Sequence, residues 1–496
     1  MNKARSLKLT ITEAKKNTLL VNKYSKKMLV FYKPILKKLE NESKTSQYIS
    51  IKRNSIMRNF LTYIYLQFSI YTKFINTLNI PNTRTIIVDI STKMNALIRD
   101  HLNNSKYIDS SIITYIKNNI PNCKIIRYEN TINAKKFIFD FIIYDKYNIE
   151  NLDNIVKNML VFLQILIKIS KNLNNEINIC AKDGVTITFF LTPFLKKLSI
   201  NTANNKEILG AANVNSGFAY VCLTSGSIFI YRKQDFFKVF IHESLHAYGL
   251  DKALHLNFNK NENYNKFLNL FAFTNKDYTY MGMNESVTEF WTSLLYLCIT
   301  SYNESKNLRT FIYNYERLYK LELVHALYQI SKILNYNDLT YSSFINNSNS
   351  KYRETTHIFS YFIVKTLMLI NHEHMLNSQL FELNSISKLD NIENNSLINI
   401  KLKHDDVTIN KLFANLYEYA NNPLFIQIMN IIEVEHRKHY KKYIHKNINS
   451  QTQKLRKNSN LRARKFLTQK NKTRNEFNME NYMLTNLKMM VHDYNI

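Results

Sequence analysis

Apolar residues recur at three- and four-residue intervals along most of the chain, and this helical rhythm is broken chiefly between residues 184 and 282. Residues 1–175 read as mainly helical, with candidate strands at Thr85–Ile90 and Phe137–Tyr144. Ser227–Tyr231 (Ser-Ile-Phe-Ile-Tyr) predicts a short buried strand, and Asn213–Gly217 running into Phe218–Cys222 predicts another. They lead into an apolar stripe of Phe236, Phe237, Phe240, Ile241 and Leu245, the periodicity of a core-packed helix. Asp235 is an N-cap candidate for that helix and Gly249 its stop. A second amphipathic helix opens at Asn284, and residues 301 to about 435 return to helical periodicity without a glycine. The expected fold is therefore α+β and predominantly helical: a small β-sheet preceding a two-helix core, flanked by helical regions. Its expected parts are a helical N-terminal region (1–175), a core (176–300), a helical domain (301–435) that closes one wall of the cleft, and a basic tail (436–496).

The helix beginning at Phe236 carries His242-Glu-Ser-Leu-His246. Residues four apart share a helix face, so both imidazoles can reach one Zn²⁺ at about 2 Å. Glu243, between them, is placed as a general base that polarises a water activated by the metal and passes its proton to a leaving amine. A catalytic zinc site usually takes a third protein ligand. The pattern with a third histidine six residues after the second fails here, because Lys252 occupies that position. The better candidate is Glu285 in Asn284-Glu-Ser-Val-Thr-Glu289, with His255 as an alternative. Glu289, one turn later on the same face, can accept the outer N–H of His242 and fix its tautomer.

These two motifs resemble the gluzincin branch of zinc metallopeptidases, thermolysin-like in plan, over roughly residues 205–300. Within that stretch Asn213–Gly217, Ile230–Arg232, Phe237–Glu243 and Asn284–Trp291 are also similar to an uncharacterised metallopeptidase group of large DNA viruses. The resemblance implies peptide-bond hydrolysis with one zinc per chain. It also implies an edge strand ahead of the motif helix that pairs with extended substrate, for which Asn213, Asn215 and Gly217 are the candidates. One departure is the interval from His246 to Glu285, about twice that of the thermolysin plan, which makes residues 251–283 a rim insertion.

All six glycines lie between residues 184 and 282, as a region of strands and tight turns requires. His372-Glu-His374, His436 and His439 are expected to be ordinary core or surface histidines, and Trp291 a core residue. Cys123, Cys180, Cys222 and Cys298 have no paired spacing, which predicts free thiols and a cytoplasmic setting, host cytoplasm or virion if the chain is viral. No apolar run is long enough to span a bilayer. The formal charge is +29, and residues 436–475 hold fourteen Lys or Arg with no Asp or Glu. That run predicts a solvated arm able to bind nucleic acid or an acidic partner nonspecifically. Two functions follow: a zinc metallopeptidase acting on polypeptide, or a catalytically degenerate zincin-fold protein serving as a basic structural or nucleic-acid-associated virion protein.

Overall fold

The computed structural model describes residues 23–42, 56–103, 105–171, 179–198, 207–250, 262–271, 273, 282–346, 351–376, 382–383, 400–401, 406–461 and 479–496. The architecture is α+β and predominantly helical, as the periodicity predicted. One six-stranded sheet organises it, in the order β1 (Arg84–Ile87), β2 (Lys124–Ile132), β3 (Lys135–Ile143), β4 (Gly184–Thr192), β6 (Ser225–Arg232) and β5 (Gly217–Tyr220). Strands β3, β4 and β6 are parallel, while β1, β2 and the edge strand β5 are antiparallel to their neighbours.

Sidedness follows from the two-residue repeat of a strand. Ile228 and Ile230 of β6 face the large helical body, whereas Phe229 and Tyr231 face a thin layer built from residues 90–118. Both faces are covered, so the parallel strands read as continuous apolar runs. The helical body includes α1 (Lys23–Asn41), α2 (Ile56–Asn76), α3 (Ile149–Lys171), α4 (Phe236–Ala247), α5 (Met283–Asn303), α6 (Leu308–Tyr336) and α7 (Pro423–Leu461). Every residue of α4 is buried, and it packs between the sheet and α5.

Several expectations change. Half of the sheet comes from residues 84–143, so the N-terminal region and the motif region share one sheet rather than meeting at residue 175. Asn213 lies in a helical turn, Ala211–Val214, and the strand starts only at Gly217. Asp235 stands at the N-cap position of α4 in a left-handed conformation (φ 59°), but its side chain makes no capping bond because it is engaged elsewhere. Gly249, also left-handed (φ 67°), does end the helix: its amide bonds to the His246 carbonyl and that of Leu250 to Leu245.

Cys180 and Cys222 form a disulfide, contrary to the expectation of free thiols, so for this pair the argument for a reducing compartment loses its premise. The parallel register pairs Gly184 with Ser225, which brings the approaches to β4 and β6, and with them the two cysteines, side by side. Cys123 and Cys298 are buried free thiols.

Of the expected basic arm, 436–475, the described part is helical and keeps Arg437, Lys438, Lys441 and Lys442 exposed, whereas the end of the chain beyond it is buried. Residues 436–461 continue α7, with His436 and Tyr443 buried. Residues 484–494 are buried throughout. Positions 462–478, which include the remainder of the basic run, and His255 lie outside the described residues. No helix among the described residues is long and apolar enough to cross a membrane.

Candidate metal centre

Helix α4 lies with one face on the sheet and the other on α5, because its apolar residues surround the helix except where the two histidines and Glu243 emerge. The Nε2 atoms of His242 and His246 stand 3.0 Å apart. Glu285, in the first turn of α5, places Oε2 3.3 Å from the first and 3.5 Å from the second. The predicted third ligand is thus brought to the pair despite the long intervening segment. Among the described residues, His242, His246 and Glu285 are the group whose ligand atoms converge as a metal ion requires, all within 4.8 Å of one another.

The donor set fits zinc on its own terms. Glu289 Oε1 lies 2.9 Å from His242 Nδ1. With the ring proton on Nδ1, toward that carboxylate, Nε2 would keep a lone pair aimed at the triad. Glu285 Oε2, buried at the same point, has no hydrogen-bond partner. Two imidazole nitrogens and an unpartnered carboxylate oxygen directed at one spot call for a cation, and two nitrogens with one oxygen suit Zn²⁺. The electrostatics agree. Burial alone would lower the pKa of His242, but the Glu289 and Glu285 carboxylates outweigh it and raise it. Burial opposes ionisation of Glu285, yet the two imidazoles pull it well below the usual carboxylate range.

Glu289 is 1% exposed and is shared between His242 and the Lys238 ammonium, one turn earlier on α4. Behind this pair stands a buried ionic cage. Lys488 Nζ lies 2.5 Å from Asp235 Oδ1, Asp235 Oδ2 accepts the Met489 amide at 3.0 Å, and Asp493 accepts the Asp235 amide at 3.1 Å. Glu322 of α6 accepts the Val491 amide at 2.8 Å. Segment 486–496 therefore closes the rear of the site, and Asp235 gives up its capping role to hold that segment.

The triad opens into a cavity of about 500 Å³. Glu243 lines it beside His242, His246 and Glu285, 6% exposed, and burial pushes its carboxyl up. Of the candidate substrate residues, Gly217 and Asn215 line the cavity. Asn213 does not, because its side chain accepts the Gly210 amide and donates to the Lys197 carbonyl, stitching its own turn. At Gly217 an added Cβ would lie 2.7 Å from Val239 Cγ1 and 2.9 Å from the Phe229 carbonyl oxygen. The absence of a side chain there lets β5 lie directly on α4.

His357 and Tyr361 also line the cavity, and sequence reading did not select them. The Gly282 amide donates to His357 Nδ1 at 3.3 Å, and the Tyr361 ring is 6.1 Å from that of His242. Tyr361 belongs to a π-helical turn, Phe359–Val364, a distortion frequent at functional sites. Burial and the Glu285, Glu289 and Glu243 carboxylates raise its pKa, keeping the phenol protonated. Their four-residue spacing was the only local signal, and it is a weak one among 33 tyrosines.

No family model, curated protein or solved structure matches this chain.

Proposed function

We propose that the protein is a zinc-dependent metallopeptidase. The observation that supports this best is the convergence of His242, His246 and the unpartnered Glu285 Oε2 at the wall of a cavity that also contains the Glu243 carboxylate. Zinc bound there supplies Lewis acidity toward a water and a scissile carbonyl. The other roles belong to the chain. Glu243, its carboxyl raised by burial, takes a proton from the attacking water and returns it to the leaving amine. Glu289 holds the His242 ring in one tautomer. Tyr361 and His357 are donors on the cavity wall where charge develops on the carbonyl oxygen. Polypeptide substrate enters along β5.

The test is metal content by elemental mass spectrometry together with hydrolysis of a mixed peptide library. About one zinc per chain, lost in His246→Ala and Glu285→Ala, is expected. Glu243→Gln should keep the zinc and lose hydrolysis by several orders of magnitude. A Gln variant as active as wild type would remove the mechanism, and zinc binding without any hydrolysis would point to the degenerate zincin-fold reading.

A further inference from the structure

The cavity changes chemistry along α4. At the metal end it is lined by imidazoles and carboxylates, whereas one helical turn toward the N-terminus it is lined by Lys238, Lys196, Ser216 and Met489. These residues share one end of the cavity for reasons visible in the backbone. The Ser216 carbonyl accepts the Tyr231 amide at the end of β6, just before the chain turns into α4. The Met489 amide and Lys196 Nζ both reach Asp235 Oδ2, and Lys238 Nζ lies 3.0 Å from Met489 Sδ.

Two ammonium groups buried at 0% and 2% exposure need compensation that the protein only partly supplies. Lys196 stands 3.2 Å from Asp235, but that carboxylate already serves Lys488 and the Met489 amide. Lys238 has Glu289, which already serves His242. Neither lysine has a carboxylate to itself. Beside them Ser216 Oγ, in a residue 4% exposed, has no hydrogen-bond partner. The cavity wall here thus carries a hydroxyl without a partner and two ammonium groups that share their carboxylates.

We propose that this end of the cavity binds a carboxylate of the substrate. The reading rests on the peptidase assignment above and narrows its substrate class. One turn of α4 is about 5.4 Å, roughly one and a half residues of extended peptide, so the carboxylate belongs within one or two residues of the scissile bond. Lys196 and Lys238 supply charge and Ser216 Oγ a directed donor. The carboxylate is either the α-carboxylate of a chain end or the side chain of Asp or Glu.

Calorimetric titration of the zinc-loaded protein with glutarate and with butyrate tests the subsite without requiring turnover. Glutarate should bind at least tenfold more tightly, since its second carboxylate reaches the lysines. That advantage should shrink severalfold in Ser216→Ala and vanish in Lys196→Met, with Lys196→Arg retaining it to show that loss of charge, rather than of folding, is responsible. Equal binding of the two acids by wild type overturns the subsite. In parallel, a peptide library with free C-termini is compared with its C-amidated twin and with one in which Asp and Glu are replaced by Asn and Gln. Cleavage falling at least tenfold on amidation identifies a chain-end carboxylate, and the same fall on side-chain replacement identifies an acidic residue. Cleavage indifferent to both overturns the proposal while leaving the peptidase standing. Preference for glutarate with no library cleaved refutes the peptidase and keeps the carboxylate site.

Discussion

Glu289 Oε1 lies 2.9 Å from His242 Nδ1, on the side of the imidazole opposite the Nε2 that faces His246 and Glu285. The ring is therefore fixed from behind by a carboxylate that Lys238 in turn holds. Glu289→Gln should weaken zinc binding by about 10–100-fold without abolishing it, measured by competition with a chromogenic chelator. Unaltered affinity would mean that ring orientation is set by packing alone.

Gly217→Ala tests how closely the edge strand must approach the metal helix. The new methyl meets the Phe229 carbonyl, which belongs to the adjacent strand and cannot swing aside. A loss of about 1–3 kcal/mol in urea denaturation is expected. Peptidase activity should fall while zinc content stays near one per chain, because the ligands sit on α4 and α5. Full activity would show that β5 does not shape the productive cavity.

Reduction of Cys180–Cys222 should destabilise the protein by about 2–5 kcal/mol, read as a lower melting temperature in dithiothreitol. Cys222→Ala should melt at the same temperature with or without reductant. None of His242, His246 and Glu285 is a thiol, so zinc stoichiometry should not follow the change.

Glu354 is fully buried, and burial pushes its carboxyl up to about 8. It accepts the Phe359 amide at 2.7 Å, at the start of the turn that carries Tyr361. The folded pKa exceeds the unfolded one, so the folded state holds an extra proton. Its stabilising share is complete below about pH 4.5 and declines as pH rises toward 8. Glu354→Gln, neutral throughout, should gain on wild type by up to a few kcal/mol between pH 5 and pH 8.5, at about 1.4 kcal/mol per unit. Denaturation at those two pH values checks it; an identical difference at both would show that Glu354 does not titrate in this range.

A chain truncated after residue 478 should fail to give soluble folded protein, since Asp235 and Lys332 would lose the partners that segment 483–489 provides. Breaking a buried ion pair costs about 3–5 kcal/mol, and here several contacts go together. Soluble, zinc-binding truncated protein would contradict the cage.

What could be read in the sequence is what local rules control. Four-residue spacing placed His242, His246 and Glu243 on α4, a continuous apolar run located β6, and the acidic pair at 285 and 289 stood out as a second helical face. Strand β2, with Lys, Arg, Glu and Asn among its apolar residues, does not stand out from an asparagine- and lysine-rich background. Asp235 was legible as a cap by residue type alone, but its employment by Lys488 depends on a partner 253 positions away. The same holds for Cys180 and Cys222, joined by parallel strand register, and for Tyr361, brought to the triad by the packing of a later turn. Charge count extended the basic tail to residue 496 because lysine is usually solvated, whereas Lys488, beyond the basic run, is held at 1% exposure by two aspartates.

The separation of Asp235 from Lys488 also has a temporal meaning. During synthesis, α4 and α5 leave the ribosome long before Lys488, Met489 and Asp493 exist, so His242, His246 and Glu285 are present while the cage behind them is open. Asp235 and Lys238 would face water on that side in the nascent chain, and α4 would lack the contacts that hold its first turn. A chain carrying both motifs is therefore not yet an assembled site: the cluster of His242, His246 and Glu285 gains its rear wall only when some two hundred further residues have been made and folded back.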